Sequence, residues 1–74
     1  MTGYIVRVVV DKQFGFIKAA DGNDYFFHKS DLDGFWEDLV TDFDGHRNIK
    51  VTFEPTQGPK GLRAASVVRV DGGV

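Results

Sequence analysis

Residues 12–18, which read Lys-Gln-Phe-Gly-Phe-Ile-Lys, constrain the fold of this 74-residue chain more than any other segment. Successive side chains of a β-strand point to opposite faces, so the two lysines and the two phenylalanines share one face of a strand here. These residues are Lys12, Phe14, Phe16 and Lys18. Lysines are almost never buried without a partner, which predicts that this face is exposed. Flat rings bordered by ammonium groups suit the bases and phosphates of a single-stranded nucleic acid.

Short strands recur along the whole chain. Composition and alternation predict five of them, at residues 4–10, 14–19, 24–28, 49–54 and 62–70. Two prolines and two glycines make residues 55–61 a predicted loop. Five strands with one long connection after the third predict an all-β fold, a five-stranded antiparallel barrel of the oligonucleotide-binding type (OB-fold). A chain of this size has room for a single domain, spanning residues 1–74.

The third predicted strand follows an Asp-Gly-Asn turn signal and continues the aromatic pattern of the second. Alternation places Phe26 and His28 on one face. Tyr25 and Phe27 lie on the opposite face, and a barrel has only one interior. We therefore predict that the outward rings of the two strands form a base-stacking platform, the alternative being that they belong to the core. We call these three rings, Phe14, Phe16 and Phe26, the aromatic cluster.

The long connection after the third strand carries apolar residues at every fourth position, a helical spacing. They are Phe35, Leu39 and Phe43. With a cap at Asp31 or Asp33 and an end at Gly45, this spacing predicts one or two helical turns on the barrel rim.

The charges are unevenly distributed, although the net charge is only −2. Acidic residues crowd into positions 31–44, whereas four cations flank the aromatic strands: Arg7, Lys12, Lys18 and Lys29. This distribution favours weak binding dominated by stacking over tight binding driven by phosphate contacts.

The composition also excludes several classes of protein. There is no cysteine, so disulfides and cysteine-based metal sites are excluded. The longest purely apolar run, residues 8–10, is far too short to span a membrane, and no signal peptide is visible. We expect a cytoplasmic protein; the sequence does not indicate an oligomeric state, and a monomer is the default.

Several polar residues have both a functional and an ordinary interpretation. His28 has no partners for a catalytic triad and too few neighbouring ligands for a metal, so we expect it to stack on or hydrogen-bond to a base. Five cations either contact phosphates or are simply solvated. They are Lys12, Lys18 and Lys29, with Lys60 and Arg63 near the last predicted loop. No catalytic residue, metal, cofactor or small-molecule substrate is predicted, and the chain is not expected to be an enzyme.

The two central motifs resemble those of the cold-shock domain, whose members read roughly Lys-Gly-Phe-Gly-Phe-Ile and Val-Phe-Val-His-Phe. Residues 3–28 align with the first three strands of that family, and residues 58–67 resemble its Gly-x-Lys/Arg-Gly-Pro-Gln-Ala-x-Asn-Val stretch. The resemblance implies a small barrel that binds single-stranded RNA and DNA and acts as an RNA chaperone. It also implies that Phe14, Phe16, Phe26 and His28 are the stacking residues and that Lys12 is the motif lysine.

This chain departs from the family pattern at several positions. Arg7 stands where the family has its platform tryptophan, and Gln13 replaces the first motif glycine. Lys29 replaces the aromatic residue after the histidine, and Leu62-Arg63 replaces Pro-Gln. The segment between the third and fourth strands is also longer. A guanidinium can stack on a base, so we expect Arg7 to replace the lost indole in part.

The sequence therefore predicts binding of single-stranded RNA or DNA with low sequence specificity. The predicted nucleic-acid-binding residues are Arg7, Lys12, Phe14, Phe16, Lys18, Phe26, His28, Lys29, Lys60 and Arg63. The alternative is a protein-interaction module on the same barrel, using the aromatic residues of the loop 35–43, chiefly Phe35, Trp36 and Phe43. Exposed rings on the central hairpin would favour nucleic acid, and exposed rings in the loop would favour a protein partner.

Overall fold

The computed structural model describes residues 1–44, 49–59 and 61–70. The strands are β1 (Thr2–Val9), β2 (Phe14–Ala19), β3 (Asp24–His28), β4 (Leu32–Asp33), β5 (Lys50–Gly58) and β6 (Gly61–Arg69). A 3₁₀ helix (Lys29–Asp31) joins β3 to β4, and the α-helix α1 (Trp36–Asp44) follows β4. No helix within these described ranges is long and apolar enough to cross a membrane.

Five of the strands close into a ring. They are hydrogen-bonded in the order β3-β2-β1-β5-β6, and β6 returns to pair with β3. The closing pair is parallel and is centred on Phe26 and Arg63, whereas the other pairs of the ring are antiparallel. The short β4 adds a parallel contact to β6. The predicted five-stranded OB-type barrel is confirmed, with a parallel closing contact and a sixth short strand as additions.

The interior of the barrel is apolar. The buried residues of the core are Ile5, Ile17, Ala19, Tyr25, Phe27, Leu32, Trp36, Leu39, Ile49, Val51, Phe53, Ala64 and Val67. Inward and outward residues alternate along β2 and β3 as a half-exposed sheet requires. Within the described residues no polar or charged side chain is buried.

Helix α1 is part of this core. Trp36 is only 5% exposed, and its ring packs edge-on against Phe27 with the ring centroids 6.2 Å apart. Leu39 is fully buried one turn later. The predicted helix is thus present, but the predicted caps are wrong at its start: Asp31 belongs to the 3₁₀ helix and Asp33 to β4. The predicted end, Gly45, lies outside the described residues.

The prediction that residues 55–61 form a loop is wrong for most of the segment. Strand β5 continues to Gly58, and Pro55 lies opposite Ala64 of β6. Strand β1 pairs with β5 only near Lys50–Thr52, so Pro55 has a strand neighbour on one side only. A proline is tolerated there as it is in an edge strand, because no partner requires its missing N–H.

Candidate nucleic-acid interface

The three rings of the aromatic cluster lie together on the outer face of the β2–β3 hairpin. Phe16 lies directly opposite Phe26, and Phe14 is opposite His28. The ring centroids are 5.8 Å apart for Phe14 and Phe16, 5.3 Å for Phe14 and Phe26, and 5.9 Å for Phe16 and Phe26. Each ring is half-buried because its neighbours shield it. The cluster therefore keeps its remaining apolar surface open to solvent.

A bulge in β1 brings Arg7 to the same face. Regular alternation from the buried Ile5 would turn Arg7 inward, because the two positions are two residues apart. The register shifts between them, since Ile5 is opposite Ile17 while Arg7 is opposite Phe16. The extra residue, Val6, is exposed. Arg7 thus shares the outer face with Phe16.

Four residues from four adjacent strands form a row across this face. This arginine–phenylalanine row consists of Arg7, Phe16, Phe26 and Arg63, each directly opposite the next in the strand pairing. Cross-strand partners lie about 4.5–5.5 Å apart, so the four side chains are neighbours. Two rings suited to stacking are flanked by a guanidinium at either end.

Arg63 is held in place by two contacts. Its Nη2 atom donates a hydrogen bond to Oδ2 of Asp31 at 2.9 Å, and its Cζ atom lies 5.8 Å from the centroid of the Phe26 ring. The same Asp31 oxygen accepts a hydrogen bond from the backbone N–H of His28 at 3.0 Å. The carboxylate therefore ties the end of β3 to β6.

His28 lies at the edge of the aromatic cluster and caps the 3₁₀ helix. Its Nδ1 atom accepts a hydrogen bond from the backbone N–H of Ser30 at 3.1 Å. Because Nδ1 is an acceptor in this bond, the neutral ring carries its proton on Nε2, which stays free to donate. His28 and Asp31 together form a reciprocal capping box.

The aromatic cluster forms one wall of an open groove with a volume of about 720 Å³. The β5–β6 hairpin forms the other wall, through Gly58, Pro59, Gly61 and Leu62. Lys12 and Arg63 line the groove as well. These hairpin residues, together with Asp31, were not among the predicted site residues. No sequence signal indicated Asp31, because the usual capping box begins with Ser, Thr, Asp or Asn and places Glu or Gln three positions later, whereas this one is formed by His28 and Asp31.

The remaining predicted cations differ in their surroundings. Lys18 is exposed two positions beyond Phe16, with its Nζ 3.6 Å from Oδ1 of Asp24. Lys29 is exposed in the 3₁₀ helix next to His28. Lys60 lies outside the described residues. The groove thus brings together the aromatic cluster, Lys12 and Arg63, with Arg7 in the adjoining row and His28 at the margin.

The residue in the position of the first motif glycine has a left-handed backbone. Gln13 adopts φ 59°, and its carbonyl oxygen accepts a hydrogen bond from the N–H of Lys29 at 2.8 Å. Glycine adopts this conformation without strain, whereas other residues incur a cost of roughly 1–2 kcal/mol. The substitution therefore leaves the turn geometry in place at some cost in stability.

The aromatic residues of the alternative, protein-binding patch are mostly covered. Trp36 is buried, which disfavours the alternative in which it belongs to an exposed patch. Phe43 is partly buried against the core, and Phe35 is 76% exposed. In the described part of the chain, no group of three His, Asp or Glu side chains could hold a metal ion.

An OB-type barrel with an aromatic cluster and cations on its central hairpin has the architecture of the oligonucleotide-binding class. Comparison with known proteins identifies the family. The model of the 'Cold-shock' DNA-binding domain matches residues 1–70, and the chain belongs to this family.

Two relatives align along nearly their whole length. The chain is 40% identical over 72 residues to the Cold shock-like protein CspB of Escherichia coli (strain K12), covering 96% of this chain and 94% of the relative. It is 32% identical over 74 residues to the Cold shock-like protein CspE of Bacillus anthracis, covering 95% and 97%. Family membership supports nucleic-acid binding in general.

Proposed function

We propose that this protein binds single-stranded RNA or DNA with little overall sequence preference, by stacking bases on the aromatic cluster. The observation that carries the proposal is the grouping of Phe14, Phe16 and Phe26 on the outer face of the barrel, where they line a groove of about 720 Å³. Stacking on an aromatic ring contributes about 1–3 kcal/mol per base and tolerates any base, because every base has a π-face.

The charge pattern supports binding dominated by stacking. Arg7 and Lys12 are exposed beside the cluster, so they are available to phosphates. The net charge of −2 limits long-range attraction to a polyanion. Bases in the groove would therefore supply most of the affinity, and the cations would orient the strand.

The same binding would give the protein an RNA chaperone activity. A protein that binds unpaired strands but not duplexes shifts the pairing equilibrium toward open forms by mass action. This action requires no cofactor and no covalent chemistry. A monomer in the cytoplasm is sufficient for it.

A matched pair of phenylalanine variants tests the proposal. The binding of fluorescein-labelled oligothymidine and oligouridine is followed by anisotropy for wild type, Phe16→Ala and Phe35→Ala. We expect Phe16→Ala to weaken binding by about 1–3 kcal/mol and Phe35→Ala to leave it unchanged, because Phe35 lies in the segment between β4 and α1 and outside the groove. The fluorescence of Trp36, buried against Phe27, reports whether each variant is folded.

The opposite results would support other assignments. If Phe16→Ala unfolded the domain while binding persisted, the ring would belong to the core. Loss of binding in Phe35→Ala alone would move the ligand to the loop 35–43. The exposure of Phe35 is the one observation that favours a protein partner there, and the burial of Trp36 leaves that patch with a single open ring.

A further inference from the structure

Arg63 and Arg7 occupy the two ends of the arginine–phenylalanine row, but only Arg63 is fixed. The Asp31 carboxylate and the Phe26 ring both contact the guanidinium of Arg63. Arg7 is exposed and has no ion-pair or ring contact with any described residue. A free arginine loses rotamer freedom when it binds a ligand, and a fixed one has already lost it. The two arginines are therefore suited to different tasks.

The Asp31 carboxylate makes Arg63 a poor ligand for phosphate. With Nη2 of Arg63 only 2.9 Å from Oδ2 of Asp31, the two unit charges largely cancel at a distance. A phosphate approaching Arg63 would also meet the like charge of the carboxylate. The guanidinium nevertheless has five N–H donors, of which this hydrogen bond uses one. Arg63 thus offers directed donors with little net charge.

A fork of donors beside a stacking ring matches one base best. Guanine presents two neighbouring acceptors, N7 and O6, whereas adenine places an N6 donor beside N7. Thymine and uracil have a donor next to O4. Cytosine also has neighbouring acceptors, N3 and O2, but offers one ring rather than two for stacking against Phe26.

We propose that Arg63, positioned by Asp31, selects guanine for the base that stacks beside Phe26. This inference rests on the proposed function, because it needs a single strand in the groove. Stacking on the other rings stays tolerant of sequence, so selection is confined to one position. Asp31 is the positioning residue, since it acts through Arg63.

The test compares oligothymidines of about eight nucleotides that carry one central guanine, adenine, cytosine or no substitution. Labelled strands are titrated against wild type, Arg63→Lys and Arg7→Lys, both of which keep the charge and lose the planar fork. We expect wild type to prefer the guanine strand by at least about fivefold, the lower end for a bidentate contact. Arg63→Lys should reduce this preference to less than about twofold, while Arg7→Lys should retain it.

A third variant, Asp31→Asn, tests whether Asp31 positions Arg63 or only supports the fold. The asparagine oxygen still accepts the His28 N–H, so the cap is retained while the charge is lost. The guanine preference should fall, but affinity for plain oligothymidine should rise because Arg63 becomes available to a phosphate. The slope of log affinity against log salt should steepen by about 0.7. A structural defect would lower both affinities together.

Three outcomes would overturn the inference. They are equal affinity of wild type for all four strands, a preference for cytosine over guanine, and a preference that survives in Arg63→Lys. In each of these the strands still bind, so the proposed function stands. If wild type bound none of the strands, the proposed function and this inference would both be wrong.

Discussion

Gly15 lies between Phe14 and Phe16, and its missing side chain lets three strands pack closely. A Cβ atom at this position would lie 2.7 Å from the carbonyl oxygen of Arg7 and 2.8 and 2.9 Å from two carbons of the Phe27 ring. Real Cβ atoms essentially never approach other atoms this closely. Phe27 is fully buried and packs against Trp36, so it has little room to move. Gly15→Ala must therefore displace β1, the Phe27 ring or both.

We expect Gly15→Ala to lower the free energy of unfolding by about 1–3 kcal/mol, the usual cost of overpacking a core. The stability of a domain of this size is roughly 4–11 kcal/mol, so the loss is a large fraction of the total. Each kcal/mol lowers the melting temperature by about 4–8 °C. Urea and thermal unfolding followed through the fluorescence of Trp36 measure both quantities.

Gly58→Ala is the matched control. Among the described residues, a Cβ atom there meets one atom within 4 Å, the carbonyl oxygen of Gly61 at 3.8 Å, which is ordinary van der Waals contact. Its stability should stay within about 0.5 kcal/mol of wild type. If Gly15→Ala were as stable as this control, β1 and Phe27 could adjust freely, and the close packing inferred around Gly15 would be refuted.

Three further predictions concern charge. Arg7→Trp should tighten binding to thymine- or uracil-rich strands and flatten the salt dependence of binding, because a stack replaces a charge. Arg7→Ala should weaken binding and should also flatten its salt dependence. Unchanged affinity in both variants would place Arg7 off the binding face. For wild type, the slope of log affinity against log salt should be about −2, for three phosphates at about −0.7 each, and a slope that implies eight or more phosphates would contradict the stacking model. The Tyr25 hydroxyl donates to Asp21, which raises the pKa of Tyr25 above its ordinary 10.0. This bond stabilises the fold below pH 10, and the stabilisation is lost as the pH rises through the raised pKa. The unfolding free energy of Tyr25→Phe should therefore decline less steeply above pH 10 than that of wild type. Urea unfolding followed through the fluorescence of Trp36 measures both.

The central hairpin was predictable because local signals agree there. In β2 and β3 the alternation, the turn signal and the pairing of large residues all indicate the same faces, so the sequence alone groups Phe14, Phe16 and Phe26 on one face. Strand β1 has apolar residues at both odd- and even-numbered positions, and the bulge at Val6 reverses the alternation in the middle of the strand. Its inner face could not be assigned from the sequence for that reason.

Other features depend on contacts between distant parts of the chain. The Arg63–Asp31 pair joins residues 32 positions apart, so no sequence spacing indicates it. Pro55 and Pro59 suggested a loop, yet a proline fits β5 beyond its pairing with β1, where the strand has one free edge. The register that leaves this edge free is a property of the closed barrel and not of the local sequence.

Counting cations along the sequence overestimates the charge available to a nucleic acid. Among the described residues, folding pairs three of them with acids: Lys18 with Asp24, Arg63 with Asp31, and Arg69 with Asp42. In the described ranges, Arg7, Lys12 and Lys29 remain beside the aromatic cluster without an ion pair.

These three unpaired cations account for a shallow salt dependence better than the net charge does. The acids of α1 lie on a helix that packs against the inward-facing Phe27, whereas the cluster lies on the outer face of the same hairpin. A strand crossing the cluster therefore meets rings first and few unpaired charges. Among the described cations of this face, Arg63 alone has both its charge offset and its orientation fixed. Its loss should therefore change which base is preferred more than how tightly the strand binds.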